Sequence, residues 1–306
     1  MKIISTAFLL MVSLAIVSLV AFYLLDDSSW HLLKLLLYIV LGAAVYSFVV
    51  GEITGNTSQV DKLWSILPIV YVWVVAWEGG MDLRLVIMAI LVSCWGIRLT
   101  ANFALKGAYT WKFWEGEEDY RWKVLREKPE FKPRWKWTLF NLFFISGYQH
   151  VLILLFTLPS VVAYQHRAQA LNWVDALAGI TMMFFLVYET IADVQHWRFQ
   201  STKWRMIRNH ETLHGNYAKG FLDKGLWAYS RHPNYLGEQG IWLSFYLFSV
   251  AASGQWLNWS ITGALLLIVL FNASSKFSEE ISVSKYPGYK KYQESVPRFI
   301  PWKNRA

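Results

Sequence analysis

The chain holds a single cysteine, Cys94, in 306 residues. It can close no internal disulfide and is no disulfide-stapled extracellular scaffold. Charge is also scarce. Asp, Glu, Lys and Arg make up 16% of the sequence, against about 25% in soluble domains, which excludes an ordinary water-soluble globule. No Gly-x-Gly-x-x-Gly stretch occurs, so the phosphate-binding turn of a Rossmann domain is not expected. There is no convincing internal repeat and no low-complexity tract, which sets aside solenoids and disordered tails.

What is present is apolar and aromatic: 55% hydrophobic residues, 17% aromatic, mean hydropathy +0.30. Eight apolar segments approach the ~20 residues needed to cross a bilayer. They run Ile3–Leu25, Leu32–Val50, Leu63–Trp77, Leu83–Ala101, Thr138–Ala163, Trp173–Ile191, Tyr235–Ala252 and Leu257–Ala273. The expected fold is therefore an all-α polytopic membrane protein of about eight transmembrane helices. Lys2 precedes the first segment, but no small-residue cleavage site precedes Asp26-Asp27, so it reads as an anchor. Trp and Tyr suit lipid–water boundaries.

The formal charge of +8 points to topology, not to nucleic acid, because the basic residues lie between the apolar runs. With the N-terminus inside, roughly 25 of the 29 Lys and Arg fall on the cytoplasmic side, as the positive-inside rule requires. The C-terminus is then cytoplasmic. The loop Lys106–Lys136 mixes Trp111, Trp114, Trp122 and many charges, with Pro129 and Pro133 breaking any long helix. It reads as an interfacial belt against lipid phosphates or as a lid.

Ionisable groups inside or at the mouth of apolar segments mark function by default. Arg98 lies in segment four and Asp61 opens segment three. Glu189 and Asp193 close segment six, Glu238 lies in segment seven, and Glu279-Glu280 follow segment eight. All lie at or near cytoplasmic ends and could converge on one cytoplasm-facing cavity. The densest cluster is GLWAYSRHPNYLGE, from Gly225 to Glu238, with Arg231, His232, Asn234, Tyr235 and Glu238 at the start of an apolar run. Helix caps and interfacial anchors need one or two such residues; five imply a bound polar partner, and a large anionic cofactor would fit. Separately, His210-Glu211-Thr212-Leu213-His214 spells the zincin signature. Gly215-Asn216 follows at once, and the flanking residues read as a polar loop, which argues against the helix that chemistry needs.

The C-terminal third, Tyr188 to Trp302, resembles the steroid 5α-reductase and sterol reductase superfamily, and is similar to its bacterial DUF1295 branch. The resemblance rests on GLWAYSRHPNYLGE, on YETIADVQHWRFQ with its Asp, and on the tail SKYPGYKKYQESVPRFIPW. The N-terminal half is similar in pattern alone. The implied organisation is 1–136, N-terminal helices and a cytoplasmic loop on the substrate side, and 137–306, a membrane domain on the cofactor side.

The resemblance implies an NADPH-dependent reductase of a carbon–carbon double bond in a hydrophobic steroid-, sterol- or isoprenoid-like lipid, in a bacterial inner membrane. Asp193, Arg231, Asn234, Tyr235 and Glu238 would hold the nicotinamide end or the ribose-phosphate chain, with Trp227, His232, Lys285 and Tyr286 lining the same pocket. Arg and Lys suit phosphates, and Asn and a carboxylate suit a carboxamide or ribose. Asp61, Trp95 and Arg98 match the family's Glu, Tyr and following Arg. Trp95 departs from the pattern, since an indole N–H donates a hydrogen bond but no proton. Tyr229 is then a candidate acid. Isoprenylcysteine carboxyl methyltransferases also resemble RHPNYLGE and the Glu-Glu pair, which keeps an S-adenosylmethionine-dependent methyltransferase open. A lipid-binding protein without catalysis is the remaining alternative.

Overall fold

The structure is a computed structural model and describes residues 25–301. Those residues are helical, with no strand among them. In order they form α1 Asp27–Thr54, α2 Gln59–Trp64, α3 Leu67–Glu78, α4 Leu83–Ala104, α5 Tyr120–Arg126, α6 Arg134–Phe140, α7 Gln149–Thr157, α8 Pro159–Gln165, α9 Trp173–Arg208, α10 Asn216–Lys219, α11 Pro233–Ser253, α12 Ile261–Lys285 and α13 Tyr289–Ser295. A π-helical stretch, Asn141–Tyr148, joins α6 to α7.

Among the described residues, six stretches are long and apolar enough to cross a membrane: Asp27–Thr54, Gln59–Glu78, Leu83–Ala104, Arg134–Thr157, Trp173–Arg208 and Ile261–Lys285. They carry six of the eight expected segments. The first, Ile3–Leu25, falls outside the described residues apart from Leu25. The seventh is α11, a helix too polar to join the six, because Asn234, Glu238 and Gln239 occupy its first turns. Its middle is fully buried, with Ile241, Trp242, Phe245 and Phe248 at 0% exposure. The chain is a membrane protein by these helices. Tyr38, Leu41, Val45, Val49 and Ile53 form an exposed apolar stripe along α1, opposite buried Leu32, Leu36, Val40, Ser47 and Gly51. A contiguous exposed apolar face of that length suits lipid, not water.

The chain forms two compact units. Among the described residues, the first takes in 25–179 and Phe245–Leu266; the second takes in Ile180–Ser244 and 267–301. In the first, caps set the helix ends. Asp26 accepts a hydrogen bond from the Ser29 N–H at 2.8 Å, and Gly55, at φ +71°, donates its N–H to the Gly51 carbonyl and stops α1. α3 and α4 form an antiparallel pair. Trp73 Nε1 donates to Ser93 Oγ at 2.9 Å, and Ser65 and Thr100 share a hydroxyl contact at 2.7 Å. Gly96 permits the approach, since a Cβ there would meet the Ser65 carbonyl at 2.5 Å.

The expected fifth segment is not one regular helix. Asn141 and Thr138 both donate to the Glu52 carboxylate, Ser146 Oγ donates to Asn141 Oδ1, and His150 spans Ser146 and Ser47. This buried polar set accompanies the π-helical turn, and Pro159, lacking an N–H, starts the separate α8.

In the second unit, α9 decides where the site lies. Its 36 residues extend about 54 Å, well beyond the ~30 Å hydrocarbon layer. The length past Ile191, bearing Asp193, Gln195 and Arg198, therefore leaves the apolar region.

Candidate functional site

Two glycines of α11 bring its N-terminal turns against α9. A Cβ on Gly237 would lie 2.6 Å from Glu189 Cβ, and one on Gly240 would lie 2.3 Å from the Phe185 ring. The crossing sets Asn234 over Asp193, with Asn234 Nδ2 donating to Asp193 Oδ1 at 3.3 Å. The other amide atom, Asn234 Oδ1, is buried and accepts no hydrogen bond. Buried acceptors are almost always satisfied, so this one is suited to a donor brought by a ligand. Glu238, one turn on, is buried and accepts from Trp242 Nε1 at 3.0 Å.

The short 3-10 turn Gly225–Ala228 lies beside them. Gly225, at φ +64°, turns the chain so that Leu226 N–H reaches Gln195 Oε1 at 3.0 Å. Trp227 Nε1 donates to the Ala192 carbonyl at 3.1 Å, and its ring stacks on His196 with centroids 5.0 Å apart. His232 stacks on Tyr235, and Tyr235 leans on Phe271.

Arg231 and His232 converge on Glu279 of α12. Arg231 Nε donates to Glu279 Oε1 at 2.7 Å and Nη2 to Oε2 at 3.3 Å. Nη1 donates to the Gln293 and Val296 carbonyls. All three guanidinium nitrogens are thus engaged inside the chain. His232 Nε2 lies 2.9 Å from Glu279 Oε1, and Gln293 Nε2 donates to Oε2. Backbone bonds from Arg231 to Pro297 and from His232 to Arg298 tie the tail to the same place. Burial lowers the proton affinity of His232 against the upward pull of Glu279. A cleft of about 410 Å³ opens above Glu279, lined also by Lys276, Glu280, Gln293 and Arg298.

Other expected residues sit differently. Tyr229 is 63% exposed, and Lys285 is exposed at the end of α12. Tyr286 covers Gly220 and approaches Lys203 Nζ at 3.4 Å. Asp61, Trp95 and Arg98 all belong to the first unit. Asp61 lies on the short helix α2, whereas Trp95 and Arg98 lie on α4. Trp95 is fully buried, and Arg98 is half-buried. Asp61 instead accepts from Trp122 Nε1 at 2.8 Å. Trp122 belongs to the Lys106–Lys136 loop, which is strapped across α2. Lys62 Nζ donates to the Phe113 and Glu115 carbonyls, Gln59 Nε2 to the Trp114 carbonyl, and Thr57 to Glu118.

His210-Glu211-Thr212-Leu213-His214 is not helical. It follows the end of α9, with His210 at φ +55°. The two His therefore do not share a helix face, and no group of three metal-ligating side chains occurs among the described residues.

The profile of DUF1295, described as a protein of unknown function, matches residues 47–296. The chain belongs to the DUF1295 family. It is also 38% identical over 278 residues to the uncharacterized protein C594.04c of Schizosaccharomyces pombe, covering 83% of this chain and 77% of that protein. No solved structure matches. This relative is eukaryotic, so membership of DUF1295 does not support a bacterial origin.

Gln195, His196 and Gly237 were not singled out in the sequence, though each shapes this DUF1295 site. Their signal was there: Gln195 and His196 follow Asp193 on one helix, and Gly237 and Gly240 form a small-x-x-small step.

Proposed function

We propose that the chain is an NADPH-dependent reductase of a carbon–carbon double bond in a hydrophobic lipid, with its C-terminus on the cytoplasmic side. The observation that carries this reading is the buried, unpartnered Asn234 Oδ1 beside Asp193. A nicotinamide carboxamide has the N–H to satisfy it, and Asp193 can fix the neighbouring ribose. Trp227, His196, His232 and Tyr235 offer flat faces nearby. When bound, the reduced nicotinamide supplies a hydride, and the protein supplies orientation, dryness and a proton. Of the expected first-unit set, Asp61 can carry a proton, whereas Trp95 and Arg98 can only donate hydrogen bonds. Arg231 and His232 act on this reading as positioning residues that fix the entry of α11 through Glu279.

The test is nucleotide binding to the detergent-purified full-length protein. Saturable NADPH binding, weakened about ten-fold or more by Asn234→Ala through loss of a buried hydrogen bond, is expected. Binding of S-adenosylmethionine with none of NADPH would replace the reductase by a methyltransferase. Binding of neither would leave a lipid-binding protein.

A further inference from the structure

A second cleft, of about 490 Å³, lies between the projecting end of α9 and the segment from His214 to Gly225. It is large enough for a nucleoside phosphate. Arg198, Lys224 and His214 line it together with Gln195 and the Phe199–Tyr217 pair, whose rings stack at 5.2 Å. No carboxylate is among its lining residues. Gln195 Oε1, on the cleft wall, accepts from the Leu226 N–H at 3.0 Å, so the cleft meets the Gly225–Ala228 turn that carries Trp227, within the same unit.

Neighbouring cations are already engaged within the chain. Arg231 is held by Glu279, Lys219 by Asp223, and Lys203 Nζ by the Gly220 carbonyl at 2.9 Å. Among the described residues, the side chains of Arg198 and Lys224 are in no ion pair and no hydrogen bond. A carboxylate-free cleft with two uncompensated cations and an aromatic wall selects a phosphomonoester carried on a flat base.

We infer that this cleft binds the adenosine 2′-phosphate end of the cofactor, through Arg198 and Lys224, and so sets the choice of NADPH over NADH. This rests on the reductase reading but is tested apart from it. Calorimetry on the full-length protein in detergent would use adenosine 2′,5′-bisphosphate and adenosine 5′-monophosphate. The bisphosphate is expected to bind more tightly by about ten-fold or more, the worth of a charged hydrogen bond. The exposed pair Arg198→Gln and Lys224→Gln should cost the bisphosphate about ten- to a hundred-fold and leave the monophosphate unchanged. Lys219→Gln should change neither.

The cleft assignment is overturned if the bisphosphate does not bind, if inorganic phosphate competes equally well, or if the double variant binds like wild type. Bisphosphate binding without NADPH binding would keep the cleft and remove the reductase. NADPH binding indifferent to the double variant would keep the reductase and remove the cleft.

Discussion

Arg231 and Glu279 form a buried, two-pronged ion pair, with Nε–Oε1 at 2.7 Å and Nη2–Oε2 at 3.3 Å. The motif's arginine is thereby turned inward, toward the tail. Arg231→Ala would leave Glu279 buried with part of its compensation gone, an effect of roughly 3–5 kcal/mol on stability. Lys would not rescue it, because an ammonium cannot hold both carboxylate oxygens and the Val296 carbonyl at once. The check is thermal unfolding in detergent of Arg231→Ala, Glu279→Gln and the double variant. Additive losses would show that the two side chains are not coupled.

The crossing at Gly237 is tight against backbone as well as side chain, since its Cβ would also approach Glu189 Cα at 3.1 Å. Gly237→Leu must therefore push α11 off α9, at a cost of about 1–3 kcal/mol. Nucleotide binding should fall with it, because the Asn234–Asp193 pair is set by the same crossing. Gly42→Leu on α1, where nothing lies within 4 Å, is the control and should leave unfolding and binding alone. Equal effects of the two would dissociate the crossing from the site.

Metal removal should do nothing. The HExxH letters fall on an irregular, largely exposed loop past α9, where one helix face cannot present both His to a zinc ion. Dialysis against a chelator is expected to leave the unfolding temperature and nucleotide affinity unchanged, and elemental analysis should find no stoichiometric zinc. Zinc retained by the wild type and lost on His210→Ala would reverse this.

Much of the architecture was legible because the bilayer imposes one simple rule, about twenty apolar residues per crossing. Six described spans follow that rule. α11 shows its limit, since Ile241 and Trp242 are buried by protein while Asn234 and Glu238 make the same helix polar. Arg84 shows another. It is the second residue of the fourth apolar segment and reads only as an outer-side charge, yet it is 1% exposed and bonded to Asp175 at 2.7 Å and to the Gln169 and Ala170 carbonyls. The RHPNY motif announced a polar site, but not which cations it leaves over. Arg231 and Glu279 are 48 residues apart, and only the fold reveals that one neutralises the other. Arg198 stood in plain sight on α9, and nothing in its local sequence separated it from Arg205 or Arg208.

His232 gives the protein a pH dependence whose sign is fixed by burial. Desolvation holds its proton affinity below the usual value, outweighing the attraction of Glu279. The unfolded chain takes up this proton near pH ~6.5, where the folded protein still keeps the ring neutral. Below that pH the unfolded state binds more protons, so stability rises with pH. The contribution is complete above about 6.5 and is lost as the pH falls from there toward the lowered folded value. Unfolding temperatures measured between pH 8 and pH 5 should therefore decline on the acid side of this range. His232→Gln keeps a donor for Glu279 but has no proton to gain, so its decline should be shallower. Superimposable slopes for wild type and variant would assign the acid sensitivity to other groups.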